Sequence, residues 1–202
     1  MIELARVFAA GPRPQRTLLF MALTAEEKGL QGATFYAGNP LVPLAKTAAG
    51  LNIEMLSPDG PTRDIASWGK GRVSLENDLK RVAEAHGRTY SPDPNLEAGF
   101  FYRADHFAFA RAGVPAITVG AGLDRIDGGV ASGKALRDAY FARCYHQPCD
   151  AWTASWDARG QAQDVALLYA LGREIADSDA WPHWLNGSEF KAVRERSETE
   201  RK

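Results

Sequence analysis

Residues 17–23 read Thr-Leu-Leu-Phe-Met-Ala-Leu, a continuous apolar run with Glu26 and Glu27 close behind it. Such a run predicts a strand buried on both faces, and a strand of that kind needs a covering layer above and below its sheet. The rest of the chain offers those layers. Residues 1–10 place Ile2, Ala5 and Ala9 at helical spacing, Leu4 and Phe8 extend that face, and Gly11 and Pro12 end the helix. Thr24-Ala25-Glu26-Glu27 has capping-box spacing, so a helix is expected nearby over 30–37, stopped by Pro40.

Residues 51–55 alternate, with Leu51, Ile53 and Met55 on one face and Asn52 and Glu54 on the other. A second short strand is expected at 65–68. Ser74 is placed to cap a helix over 75–86, with Leu75, Leu79, Val82 and His86 on one face and Gly87 beyond its end. Residues 91–95 (Ser-Pro-Asp-Pro-Asn) have loop chemistry. A short helix at 105–112, closed by Gly113, precedes a buried strand at 116–119. The Gly-rich stretch 120–134 reads as a surface loop. Residues 161–176 give the clearest helix, with Val165, Leu168, Leu171 and Ile175 on one face. Strands alternating with helices predict an α/β fold: a three-layer domain with a mixed, mostly parallel central sheet flanked by helices. The domain is expected over 1–187, followed by a charged C-terminal tail at 188–202 that frays or stays helical.

Composition narrows the function classes. With 24 Lys+Arg against 25 Asp+Glu in 202 residues, the net charge is -1, and no basic footprint for nucleic acid exists. No apolar run approaches the roughly 20 residues of a membrane span. Two cysteines rule out a disulfide scaffold. At 45% hydrophobic residues the chain is too apolar to be disordered.

In open α/β sheets, ligands gather at the carboxyl ends of the strands. Glu26 and Glu27 follow the first apolar run, where two adjacent carboxylates repel each other and a cation would relieve them. Taken alone, the pair reads more readily as a solvated helix start, where the dipole favours acids. Glu54 sits at the end of an alternating strand; its face is wet, paired or metal-bound. His146 lies in Tyr145-His146-Gln147-Pro148, with Asp150 four residues on, so a carboxylate is at hand to orient an imidazole metal ligand. Taken alone, His146 reads as structural or exposed, as do His86 and His183. Cys144 and Cys149 flank His146 and admit three readings: ordinary thiols, a local disulfide, or a soft-metal site with His146.

The order of the blocks adds a resemblance. An apolar run leads to Glu-Glu-x-Gly-Leu-x-Gly, then Leu-Asn-Ile-Glu-Met, then Asp-His-Phe-Ala-Phe-Ala-x-Ala-Gly-Val-Pro-Ala, then Tyr-His-x-Pro-x-Asp. From Met1 to about Phe190 this resembles the zinc exopeptidase family of bacterial leucyl aminopeptidases, glutamate carboxypeptidase and the transferrin-receptor ectodomain. The resemblance implies a two-zinc site with a bridging aspartate and a bridging water, acting on peptide substrates. It implies that Glu26 is the general base, that Glu27 and His146 ligate one zinc, and that Glu54 ligates the other. Asp105 and Asp150 are expected as supporting residues. Tyr145 and Phe107, with Phe101 and Tyr102, are expected either to line a pocket for the residue removed or to belong to the core.

Departures from the family pattern qualify these expectations. Family members usually have Asp where Glu54 stands, and Ser or Thr where Ala104 stands. A zinc-ligand His and the bridging Asp lie upstream of the Glu-Glu pair in the family, and this chain opens after both. A truncated domain lacking N-terminal strands, with at most partial zinc occupancy, is therefore expected. Residues 1–10 show no signal peptide. The resemblance implies a periplasmic or secreted location if the true start is upstream. The functions weighed are an aminopeptidase, a non-catalytic interaction domain, and a one-zinc acyl-transfer relative such as glutaminyl cyclase.

Overall fold

A computed structural model describes residues 1–69, 71–93 and 95–201. In chain order the elements are α1 (Ile2–Ala10), a 3₁₀ turn at Glu26–Lys28, α2 (Gln31–Gly38), β1 (Gly50–Ile53), β2 (Asp64–Ser67), α3 (Leu75–Ala85) and β3 (Thr89–Ser91). There follow α4 (His106–Arg111), β4 (Ala116–Ala121), α5 (Gly129–Arg143), α6 (Arg159–Asp177) and α7 (Lys191–Arg196). The strands form one sheet in the order β1-β4-β2-β3. β1 runs parallel to β4, and β2 runs parallel to β3 but antiparallel to β4. The sheet is thus mixed and mostly parallel, as the alternating pattern implies.

Strand periodicity decides what faces the site. Ile117 and Val119 of β4 join Ile65, Leu79, Leu168 and Leu171 in the main core, between the sheet and the α1, α3 and α6 layer. Leu51 and Ile53 of β1 pack against that core. With a period of two, Thr118 and Asn52 point to the opposite face. They lie side by side in the register, and Thr118 meets His106 of α4 there. A second apolar cluster on that side joins Ala33 of α2 to Ala108, Phe109 and Val114.

Two contacts tie α6 into the molecule. Phe8 of α1 packs 4.7 Å from the Tyr169 ring. A Cβ on Gly172 would stand 2.9 Å from the Phe8 ring, so glycine sets how closely the helices approach. Arg88 and Asp164 form a buried ion pair at 2.7 Å, and Arg88 also donates to Thr62 Oγ1 and to the Asp64 carbonyl. The segment from Ser188 is docked: Phe190 and Arg194 are buried, and Arg194 donates to the carbonyls of Leu44, Ala45 and Thr47. Among the described residues, no helix is long and apolar enough to cross a membrane.

Several local expectations are corrected. Residues 17–23 form no strand; Leu18, Met21 and Leu23 pack against the cores, while Leu19 and Phe20 are exposed. Among the described residues no strand pairs with this run, and a strand without a neighbour has no ladder. The capping box at Thr24 does not form, because Ala25 takes a left-handed φ of 56° that turns the chain into the 3₁₀ turn instead. Ser74 makes no cap bond; its hydroxyl accepts from the His183 amide. In α1 the buried pair is Leu4 and Phe8, and Ile2 is exposed, since the i, i+4 pair of bulky residues fills the groove against α6.

The stretch 120–134 is not one loop. β4 runs on to Ala121, and α5 begins at Gly129. Gly133 is needed for close packing, since a Cβ there would lie 2.1 Å from the Leu123 carbonyl oxygen. β3 lies beyond periodicity arguments, being three residues long. It takes Ser91 out of the loop expected at 91–95, of which Pro94 lies outside the described residues.

Candidate active site

The ends of β1 and of the 3₁₀ turn meet at a cavity of about 410 Å³ whose wall includes Glu26, Glu27, Glu54, Arg103, Phe107 and Tyr145. The backbone around it is unusual. Among the described residues, Ala25, Leu30, Met55 and His146 are the non-glycine residues with positive φ, between 50° and 60°. Each is one of the expected site residues, adjoins one, or follows the turn that carries two. Such strain costs about 1–3 kcal/mol per residue and persists only where the surroundings enforce it.

Glu27 and His146 are in contact, with Oε1 and Nε2 2.8 Å apart. The His146 ring stacks on Tyr145 at 3.8 Å between centroids and 23° between planes. Cys144 and Cys149 are joined in a disulfide that brackets His146, and no free cysteine remains. The thiol and soft-metal readings of that pair are therefore set aside.

Carboxylates crowd the rest of the site. Burial pushes Glu26 above the usual range, and Glu27 and Asp105 add to this, while His146 and Arg103 oppose it. Glu54 is pushed up to about 7 by burial first and by the negative charge of Glu26 next. Asn52 resists that rise by donating from Nδ2 to Glu54 Oε2 at 3.1 Å. The same Nδ2 donates to Thr118 Oγ1 at 3.1 Å, and Thr118 Oγ1 lies 2.7 Å from His106 Nδ1. His106 is buried, its pKa falls to about 3 for that reason, and its Nε2 has no partner among the described residues. A chain of polar contacts thus runs from the core of α4 to Glu54.

The supporting residues are placed as follows. Asp105 precedes α4 without capping it; burial raises its pKa, and its Oδ1 is buried and unpartnered among the described residues. Asp150 accepts from the Tyr140 hydroxyl at 2.7 Å. Tyr140 packs edge-on to Tyr145 at 5.9 Å and Tyr145 stacks on His146, so two aromatic rings link Asp150 to His146, and among the described residues no hydrogen bond joins the two. Phe107 and Tyr145 line the cavity, as does Tyr102, whereas Phe101 is a core residue stacked on Phe190. Arg103 and Arg111 also line it, and sequence reasoning missed both. Surface-type residues in a turn and a helix end carry no periodic signal.

A catalytic zinc takes about three protein ligands. Here Glu27 and His146 meet, and among the described residues no group of three or more His, Cys, Asp or Glu side chains is arranged to hold a metal ion. The donor set present does not complete a zinc site.

The chain is similar to several known proteins. A model of Peptidase family M28 matches residues 1–170. A probable glutamate carboxypeptidase of Arthroderma benhamiae is 28% identical over 199 residues, covering 90% of this chain and 26% of that protein. Aminopeptidase Y of Saccharomyces cerevisiae is 31% identical over 141 residues, covering 66% of this chain and 24% of that protein. The chain therefore spans about a quarter of the length of the curated relatives it matches. The crystal structure of the LapA aminopeptidase of Legionella pneumophila shares the fold, with a TM-score of 0.64 at 16% identity, over 89% of this chain and 44% of that one. Since the family model takes in everything from α1 into α6, including the turn, strand and loop that carry the acids and His146, the chain belongs to Peptidase family M28.

Proposed function

We propose that the chain forms the acid-bearing face of a metallopeptidase that removes N-terminal residues from peptides. The observation that carries this reading is the contact of Glu27 with His146 beside Glu26, at the mouth of a strand-end cavity. Glu26 is the proposed general base. A carboxylate whose pKa is raised holds a proton more tightly and accepts one from water more readily. The water oxygen bonds to the scissile carbonyl carbon, Glu26 takes the proton, and the proton passes to the leaving amine as the C–N bond breaks. Glu27 and His146, and separately Glu54, are the proposed metal-facing donors, and a two-zinc site takes donors beyond these three.

One observation favours a second reading, a non-catalytic domain that binds peptides: only two donors come together among the described residues. Release of the N-terminal residue from a short peptide, followed by mass spectrometry on protein first shown by metal analysis to carry its zinc, separates the two. Chelator-sensitive release is expected. Protein with its zinc content verified that leaves the peptide intact would overturn the catalytic reading.

A further inference from the structure

A polar line runs from the buried side of α4 to the cavity wall. Asn52 and Thr118 are register partners on β1 and β4, and strand alternation sends both to the α4 face. Asn52 Nδ2 lies 3.1 Å from Glu54 Oε2 and 3.1 Å from Thr118 Oγ1, and Thr118 Oγ1 lies 2.7 Å from His106 Nδ1. Thr118 and His106 are buried, while Glu54 lines the cavity. A glutamate side chain is long and rich in rotamers, so a donor fixed on its own strand restrains it.

Donor counting fixes the direction of every bond in this line. An ionised carboxylate only accepts, so the Asn52 atom facing Glu54 is the amide nitrogen. One of its protons goes to Glu54 Oε2 and the other to Thr118 Oγ1. The Thr118 hydroxyl carries a single proton, and among the described residues His106 Nδ1 is the acceptor within its reach. Thr118 therefore donates to Nδ1. Burial keeps His106 neutral, and a neutral imidazole carries one N–H, which must then sit on Nε2. That N–H has no hydrogen-bond partner among the described residues. The His106 ring instead meets the Phe101 ring at 86°, with 4.6 Å between centroids, and an aromatic face is a weak acceptor for an N–H.

We propose that Asn52 is a positioning residue for Glu54, and that Thr118 and the Nε2–H tautomer of His106 lock its amide in the donating orientation that holds Glu54 Oε2. The strand register thus sets the place of an acid on the cavity wall through three side chains, two of them buried. The part of Asn52 in peptide hydrolysis rests on the peptidase reading; the hydrogen bonds and the tautomer do not.

The test is nitrogen NMR of the isotope-labelled, metal-free 202-residue protein, at a pH above the Glu54 pKa of about 7. Wild type is expected to show one His106 tautomer, protonated on Nε2 and bare on Nδ1, with both Asn52 Nδ2 protons protected from solvent exchange. Glu54→Ala should release the Nδ2 proton that faces it. Asn52→Asp puts an acceptor opposite Thr118, turns the hydroxyl round, and should move the His106 proton to Nδ1. Thr118→Val removes the link; it should leave His106 without a fixed tautomer and release the other Asn52 proton, and Thr118→Ser should restore both. A role confined to packing would leave tautomer and protection unchanged in Thr118→Val and Asn52→Asp, and that result overturns the proposal. An Nδ1–H tautomer in wild type, or fast exchange of both Asn52 protons, overturns it even if every variant fails to fold. If the expected NMR results stand but protein with its zinc content verified cuts no peptide, the peptidase reading fails and the hold of Asn52 on Glu54 remains.

Discussion

At Glu54, burial and the charge of Glu26 oppose ionisation, and the pKa rises from 4.5 to about 7. A carboxyl whose folded-state pKa lies above its unfolded value favours the folded state fully at pH below 4.5. That stabilisation is lost as pH rises through about 7. After discounting for solvent screening at a half-buried site, the effect is about 1–2 kcal/mol. In metal-free protein, Glu54→Gln is therefore expected to match wild type near pH 4 and to be more stable by about that amount at pH 8. Urea unfolding across that range checks it; a pH-independent difference would contradict the burial of Glu54. The position of Glu54 is legible in the sequence because Leu51, Asn52, Ile53 and Glu54 alternate, and strand pairing with β4 preserves that period. The partners of Asn52 are not legible, because Thr118 and His106 are brought to it by sheet register and by α4. The pairing of Cys144 with Cys149 is left undecided by spacing for a similar reason: the loop that carries His146 sets whether the two sulfurs meet.

Among the elements, α6 was the most legible, since nineteen residues of helical period outweigh any local irregularity. Its buried acid was not, because Asp164 makes sense only against Arg88, which arrives from the connection between α3 and β3. Truncating one partner of a buried ion pair leaves the other charge unpaired, at a cost of about 3–5 kcal/mol. Asp164→Ala is expected to destabilise the protein by that amount in urea denaturation; a loss under about 1 kcal/mol would contradict the pairing. Residues 17–23 show the opposite case. Their composition specifies a strand, but a strand also needs a neighbour, and none of their backbone N–H groups donates a hydrogen bond among the described residues. Hydrogen exchange should find the amides at 18–23 far less protected than those of Ile117 and Val119 in β4. Comparable protection would mean that this run is paired in solution.

For the molecule as a whole, sequence pattern and block order anticipated an α/β domain with a mixed sheet and membership of a peptidase family, and both hold. Four separated blocks, each tied to one element, made the family legible. The charge layout of the cavity was not, because Arg103, Arg111 and the acids come from different elements and meet only in the fold. The proposed activity turns on Glu26 as proton acceptor, with the remaining acids and His146 as the framework around it. Its most direct test is the turnover of a short peptide by wild-type and Glu26→Gln protein, each shown by metal analysis to carry the same zinc content, with kcat and KM measured separately. The expected result is a fall in kcat of about 10²–10⁴-fold with KM little changed, as the loss of a general base requires. Equal kcat in the two proteins would contradict the role of Glu26, and with it the peptidase reading of this site.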